Sequence, residues 1–244
     1  SYIERERPRN ALVVGGGLIG LEIVEALQRA GLTTTLIEAS SVLAGLPQAL
    51  SAPLSDHLRS AGVRFHLNTT IGKWQRQGGR ITGFQRNDSQ ELQPVDLVFI
   101  SSGIQPETEL AVKAGVRLGA NNAIQVNAYQ QTNKADLYAV GDCCETVHLV
   151  SERKSWLPFA GVAARQGRVA GSNLAGYSAR FPGALGTRLV RCFGMELGRT
   201  GLNLAEAAAN RFTPAETVIH QADKPEYMAD HQVISLSVIW DKHS

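Results

Sequence analysis

Six residues, Gly15-Gly16-Gly17-Leu18-Ile19-Gly20, restrict what this chain can fold into more than any other segment. They follow Ala-Leu-Val-Val (11–14), a short apolar run of the kind that forms a buried parallel strand. They precede Leu18, Leu21, Val24 and Leu27 at three-residue spacing, closed by Gly31, which predicts a helix with one packed face. The pattern G-x-G-x-x-G assigns each glycine a physical task. The first makes the tight turn out of the strand, the second lets a pyrophosphate approach the backbone, and the third lets helix and strand pack closely. Unpaired N–H groups and the positive dipole end of the helix then face the phosphates.

The Thr- and β-branched segment 32–38 predicts the next strand, so strand, turn, helix and strand make a βαβ unit. Glu38 ends that strand 18 positions after Gly20, where a carboxylate can accept hydrogen bonds from both hydroxyls of the NAD ribose and would repel the extra phosphate of NADP. NADH is therefore the expected nucleotide and NADPH the less favoured one. As a bland alternative, Glu38 is a solvated acid at a strand end.

Further on, 49–61 predicts a helix and 63–67 a strand. Gly78-Gly79 predicts a two-residue hairpin loop between 73–77 and 80–85, and 96–101 another buried strand. A second organisation starts near Ala123, with Asp-Leu-Tyr-Ala-Val (136–140) expected as an apolar strand ending at Gly141-Asp142 and a helix over 160–175. After residue 187 the expectation is β-rich, at 189–193, 216–220 and 232–240, with a short helix at 204–210.

The 24 basic and 22 acidic side chains leave a net charge of +2, which gives no electrostatic reason to expect nucleic acid or an anionic membrane as partner. No apolar run reaches the length of a membrane helix and the first residues have no signal-peptide core, so a soluble, cytoplasmic protein is expected. Cys143, Cys144 and Cys192 have no metal or disulfide-framework spacing, and adjacent cysteines rarely bridge; reduced structural thiols are expected. The six histidines offer no paired spacing for a metal.

Five segments in order, GGGLIGLEIVEAL, SSGIQPET, LYAVGDCCETVHLV, LPFAGVAARQGRVAGSNLAG and LGTRLVRCFGMELGRTGL, resemble the FAD-dependent pyridine nucleotide-disulfide oxidoreductases. Within them the resemblance is to the coenzyme A-disulfide reductase, NADH oxidase and NADH peroxidase branch. It implies an α/β fold with a Rossmann-like FAD/NAD(P)-binding domain with a three-layer sheet, plus a truncated α+β dimerisation domain. The implied division is an NAD(H)-binding domain at 1–118, the C-terminal part of an FAD domain at 119–182, and a partial dimerisation domain at 183–244.

The resemblance implies that Gly15, Gly17, Leu18, Ile19 and Gly20 hold the NADH pyrophosphate and Glu38 its ribose, and that Gly103 returns the domain towards the flavin. Gly141 and Asp142 match the turn whose aspartate binds the FAD ribityl chain, and Pro158, Phe159, Ala160 and Gly161 the helix start that faces the flavin pyrimidine. Glu22 matches an auxiliary carboxylate near flavin and nicotinamide, with a helix-surface acid as the alternative. Leu18 departs from the resemblance, since many relatives carry Tyr or Phe there. The resemblance also implies a first G-x-G-x-x-G for the FAD adenosine and a redox cysteine that this sequence does not contain, so the chain is expected to be a fragment whose redox cysteine lies upstream.

The implied activity is hydride transfer from NADH to FAD and on to a disulfide, peroxide or oxygen acceptor, in a homodimer. The alternative is a non-catalytic NADH-binding module acting as a sensor or regulatory subunit. A flavin-free dehydrogenase has no support, because no His or Lys lies in a recognisable acid-base context.

Overall fold

The computed structural model describes residues 2–225 and 227–243, so Ser1, Glu226 and Ser244 lie outside the described residues. The chain divides into two compact units, one of 1–104, 190–197 and 216–238, the other of 105–189, 198–215 and 239–244.

The first unit begins with a short helix α1 (Tyr2–Glu6), then β1 (Asn10–Val14), α2 (Leu18–Arg29), β2 (Thr33–Ile37), α3 (Gln48–Ser60) and β3 (Arg64–His66). Strands β4 (Ile71–Gln77), β5 (Arg80–Arg86) and β6 (Leu92–Pro94) form an antiparallel meander, and β7 (Leu97–Ile100) returns to the main sheet. That main sheet is parallel, in the order β3-β2-β1-β7.

Alternation along β1 explains the layering, since successive side chains of a strand point to opposite faces. Ala11 and Val13 join Leu21, Val24 and Leu27 of α2 and Leu54 and Leu58 of α3 in one core. Leu12 and Val14 turn the other way and meet Phe84, Val95 and Trp74 of the meander. Helices, parallel sheet and meander thus make three layers. The Gly78-Gly79 turn has positive φ at both residues (57° and 77°), as a two-residue hairpin of this hand requires.

The sheet is closed at its lower end by a carboxylate. Asp96 accepts hydrogen bonds from the amides of Arg9 (2.9 Å) and Asn10 (2.8 Å), tying the entry of β1 to the entry of β7.

The second unit holds α4 (Glu109–Lys113), the antiparallel pair β8 (Thr146–His148) and β9 (Arg153–Ser155), and α5 (Ala160–Leu174). Its core gathers Val116, Ile124, Val126 and Cys144. Strands β10 (Arg188–Cys192) and β11 (Met195–Arg199) form a hairpin whose turn residues Phe193 and Gly194 both have positive φ. Its tip, 190–197, belongs to the first unit: Val190, Cys192 and Leu197 enter the core of α2 and α3, and His57 Nε2 meets the Phe193 carbonyl at 2.7 Å. Helix α6 (Leu204–Ala209) carries a capping box between Asn203 and Glu206, and β12 (Pro214–Ala222) pairs with β13 (Val233–Asp241).

The expected strand at 136–140 does not form. Tyr138 makes a single bridge to Gln131, Asp136 has φ 59°, and Leu137 and Val140 stay exposed, so no neighbouring strand extends the pairing among the described residues.

The backbone hydrogen bonds to Asp96 hold its carboxyl below the usual carboxylate range. A group of depressed folded pKa contributes stability that is complete above its unfolded pKa and is lost as pH falls through the folded value. Asp96→Ala is therefore expected to lower Tm at pH 7, with the gap to the parent closing below about pH 4. Thermal unfolding followed by circular dichroism checks this; a gap that stays constant to the acid limit contradicts it.

Candidate functional site

The glycine loop lies at the carboxyl end of β1, and the sheet order reverses between β1 and β7, so the loop stands at the crevice where open α/β sheets bind ligands. Gly15 leaves the strand with φ 109°, and its amide donates to the Ile37 carbonyl at 2.8 Å. A Cβ at Gly15 would fall 2.2 Å from the Ser101 carbonyl oxygen, and one at Gly20 would fall 1.9 Å from the Gly15 carbonyl oxygen. These two glycines are thus required by the protein's own packing. Gly17 differs: a Cβ there would meet nothing within 4 Å. The space beside it is open for a ligand to come close to the backbone.

Helix α2 makes its first hydrogen bond from the Leu21 amide to the Gly17 carbonyl, and Gly17 caps it with no side-chain bond. The amides of Leu18, Ile19 and Gly20 therefore have no partner within the helix. Leu18 is half-buried and packs against the core, whereas Ile19 is exposed. Glu22 is exposed on the same helix.

Glu38 is half-buried, and both its oxygens are engaged: one accepts the Gly16 amide and the other the Ser40 amide, each at 2.7 Å. The bland reading of a free strand-end acid does not describe it. The carboxylate is fixed against the glycine loop, and each oxygen keeps a lone pair for a further donor. Ser40, Ala44, whose amide donates to the Gly16 carbonyl at 2.8 Å, and Ser101 complete this surface. All three act through backbone groups, which side-chain chemistry in a sequence does not reveal. Gly103, with φ 121°, is exposed in the segment after β7.

The other predicted residues gather in the second unit. Gly141 (φ 87°) and Asp142 form a turn closed by the Cys144 amide on the Gly141 carbonyl at 3.0 Å. The turn is seated on α5, because Gln166, fully buried, accepts the Gly141 amide on Oε1 at 2.8 Å. Trp156 Nε1 donates to the Asp142 carbonyl at 2.7 Å, leaving the exposed Asp142 carboxylate at the outer edge of the turn. Phe159 caps α5 in an extended conformation without a side-chain bond, and the helix's own bonds begin with Val162 and Ala163 to the Phe159 carbonyl. The amides of Ala160 and Gly161 thus stand at the helix start, with Pro158 before them. Gln166 escaped the sequence reading; its signal was an amide on the helical face among small residues such as Ala163 and Ala170.

The sequence pattern of the pyridine nucleotide-disulphide oxidoreductases matches residues 2–167. The chain belongs to that family. An NAD(P)H sulfur oxidoreductase (CoA-dependent) of Pyrococcus abyssi is 34% identical over 100% of this chain and 54% of its own length. An NADH oxidase of Enterococcus faecalis is 31% identical over 96% of this chain and 52% of its own. Among solved structures, an NAD-dependent persulfide reductase from A. fulgidus superposes with TM-score 0.92 at 33% identity, over 98% of this chain and 45% of that one. The chain spans about half the length of the curated relatives it matches. The three-layer α/β architecture of the first unit is that of a Rossmann-type member of this oxidoreductase family. No helix among the described residues is long and apolar enough to cross a membrane.

Gly20→Ala is expected to cost about 2–4 kcal/mol of folding stability, because the added methyl must displace the Gly15 carbonyl or lift α2 from β1. Gly17→Ala, with open space and an ordinary φ of −70°, is expected to change stability by less than about 0.5 kcal/mol. Urea unfolding of the two variants decides it, and equal losses would contradict the division of roles.

Proposed function

We propose that this chain is the nicotinamide-nucleotide-binding part, with part of the flavin site, of an NADH-dependent flavoprotein oxidoreductase. The observation that carries the reading is the open space at Gly17 beside three helix-start amides, with a carboxylate fixed at the end of the neighbouring strand. The loop fits a pyrophosphate: backbone N–H groups supply donors, the dipole of α2 favours negative charge, and the absent Cβ permits close approach. Glu38, oriented by Gly16 and Ser40, accepts hydrogen bonds from ribose hydroxyls and disfavours a phosphate in their place, so NADH is preferred over NADPH.

The second unit fits one edge of FAD. Asp142, on the turn seated by Gln166, would accept hydrogen bonds from the ribityl hydroxyls, and Pro158–Gly161 at the start of α5 would offer the pyrimidine a positive dipole end. FAD held by these residues would supply the redox chemistry that links the nicotinamide to an acceptor. The protein's part is to bind, orient and supply the field. Gly103 and Glu22 are assigned to the neighbourhood of the flavin and nicotinamide, Glu22 as an auxiliary carboxylate.

The domain division at 118 and 182 is retained in this reading, with 183–244 contributing to a homodimer. The acceptor is a small disulfide, a peroxide or oxygen; the relatives' names, sulfur oxidoreductase, persulfide reductase and NADH oxidase, support the sulfur and oxygen classes, and the site of action is the cytoplasm. Those names describe catalysts and favour this reading over a non-catalytic NADH module.

Loss of one charged hydrogen-bond acceptor typically costs about 1.5–3 kcal/mol, or roughly tenfold or more in affinity. Glu38→Gln is accordingly expected to weaken NADH binding at least about tenfold and to narrow the preference over NADPH, as read by titration of nucleotide fluorescence. Unchanged affinity and preference would remove Glu38 from the ribose. For the flavin, Asp142→Ala is expected to lower the FAD retained per polypeptide on purification, measured by absorbance of released flavin. Parental flavin content in that variant would take Asp142 out of the site.

A further inference from the structure

The function proposed above uses none of the three cysteines, yet two of them face each other. Cys143 and Cys144 bring their sulfurs to 3.7 Å, in hydrogen-bond contact, within the turn that starts at Gly141. Both pack at the Val116, Ile124 and Val126 cluster, but they differ in exposure. Cys143 is half-exposed, and its sulfur also lies 3.4 Å from the Val140 carbonyl. Cys144 is buried, and its side chain packs with Val116, Ile124 and Val126. A reagent from solvent reaches Cys143 first, and the thiol nearest to the product is Cys144. Cys192 does not compete, being buried in the core of the first unit with its sulfur against the Leu21 carbonyl.

We propose that Cys143 and Cys144 form a peroxide-reactive vicinal dithiol, Cys143 being the attacking sulfur and Cys144 the resolving one. The Cys143 thiolate attacks one oxygen of a hydroperoxide; the O–O bond breaks, an S–O bond forms, and the departing oxygen takes up a proton and leaves as water or an alcohol. Cys143 is then a sulfenic acid. The Cys144 sulfur attacks the Cys143 sulfur, the S–O bond breaks, the S–S bond forms, and the hydroxyl leaves as water with the Cys144 proton. Two thiols have lost two electrons, and the peroxide has gained them.

Adjacent Cα atoms are about 3.8 Å apart, below the roughly 4.4–6.8 Å that disulfides ordinarily span. The product is therefore a strained disulfide of the readily reduced kind, a reversible modification rather than a staple. The electrostatics favour the same order of events. The hydrogen bond from Cys144 pulls the Cys143 thiol down to about 7, against the opposing effects of burial and the Asp142 carboxylate, whereas the same bond, and then burial, push Cys144 up. The inference is independent of the flavin reading, because its test follows the sulfur atoms alone.

Trypsin releases both cysteines in one peptide, 135–153, separate from Cys192. The chain is treated with hydrogen peroxide, the remaining thiols are alkylated, and that peptide is weighed. The expected product is lighter than the unalkylated peptide by two hydrogens and takes up alkyl groups again after dithiothreitol. Its formation accelerates with pH, with the midpoint of the rise near 7. Cys143→Ser abolishes the product, and Cys144→Ala leaves a Cys143 sulfenic acid that dimedone traps. A peptide that gains oxygen without losing two hydrogens, a disulfide joining two chains, or a peptide untouched while Cys192 reacts would each overturn the proposal.

Discussion

The contact between the backbone of α2 and the end of β1 is the constraint on which the first unit depends. With the position of a Gly20 Cβ only 1.9 Å from the Gly15 carbonyl oxygen, helix and strand approach as closely as peptide groups allow. That approach brings the start of α2 down to the end of the strand, so its unpaired amides face the crevice between β1 and β7. It also brings Gly16 under Glu38, which pins the second strand's carboxylate to the same loop. Packing and ligand geometry are thus one arrangement, and a methyl group at the wrong glycine disturbs both.

The second unit uses a different device for a similar end. A turn with no regular strand behind it is held by a buried side-chain amide, Gln166, and by the Trp156 indole, which together fix the backbone of Gly141 and Asp142. The carboxylate of Asp142 is left exposed on that turn. Seating the turn by side chains also sets the two neighbouring sulfurs side by side, at a position where a change in their bonding would be felt by the turn itself.

Much of this was legible in the sequence because the underlying requirements are local. Strand, glycine loop, helix and the acid at the end of the next strand are all fixed by short-range spacing, and β1, α2, β2, α3 and the Gly78-Gly79 hairpin follow that pattern. The strand expected at 136–140 failed because an apolar run specifies a strand only when a neighbour pairs with it; here Tyr138 has one bridge. The short pieces α1, β6, β8 and β9 carry too few residues for periodicity to show. At the candidate site, the side-chain chemistry of Glu38 and Asp142 was readable, whereas Ser40, Ser101 and Ala44 contribute backbone atoms, which any residue could supply. The placement of the 190–197 tip in the first unit's core depends on contacts between residues far apart in sequence, which no local pattern encodes.

On the proposed function, the start of α2 holds the nucleotide's pyrophosphate. Backbone amide spectra of the nitrogen-15-labelled chain, recorded during titration with NADH, test it most directly. Saturable shifts are expected, largest at Gly17, Leu18, Ile19 and Gly20 and at the amides that orient Glu38. Saturable binding with those amides unmoved, or no binding at all, would contradict it.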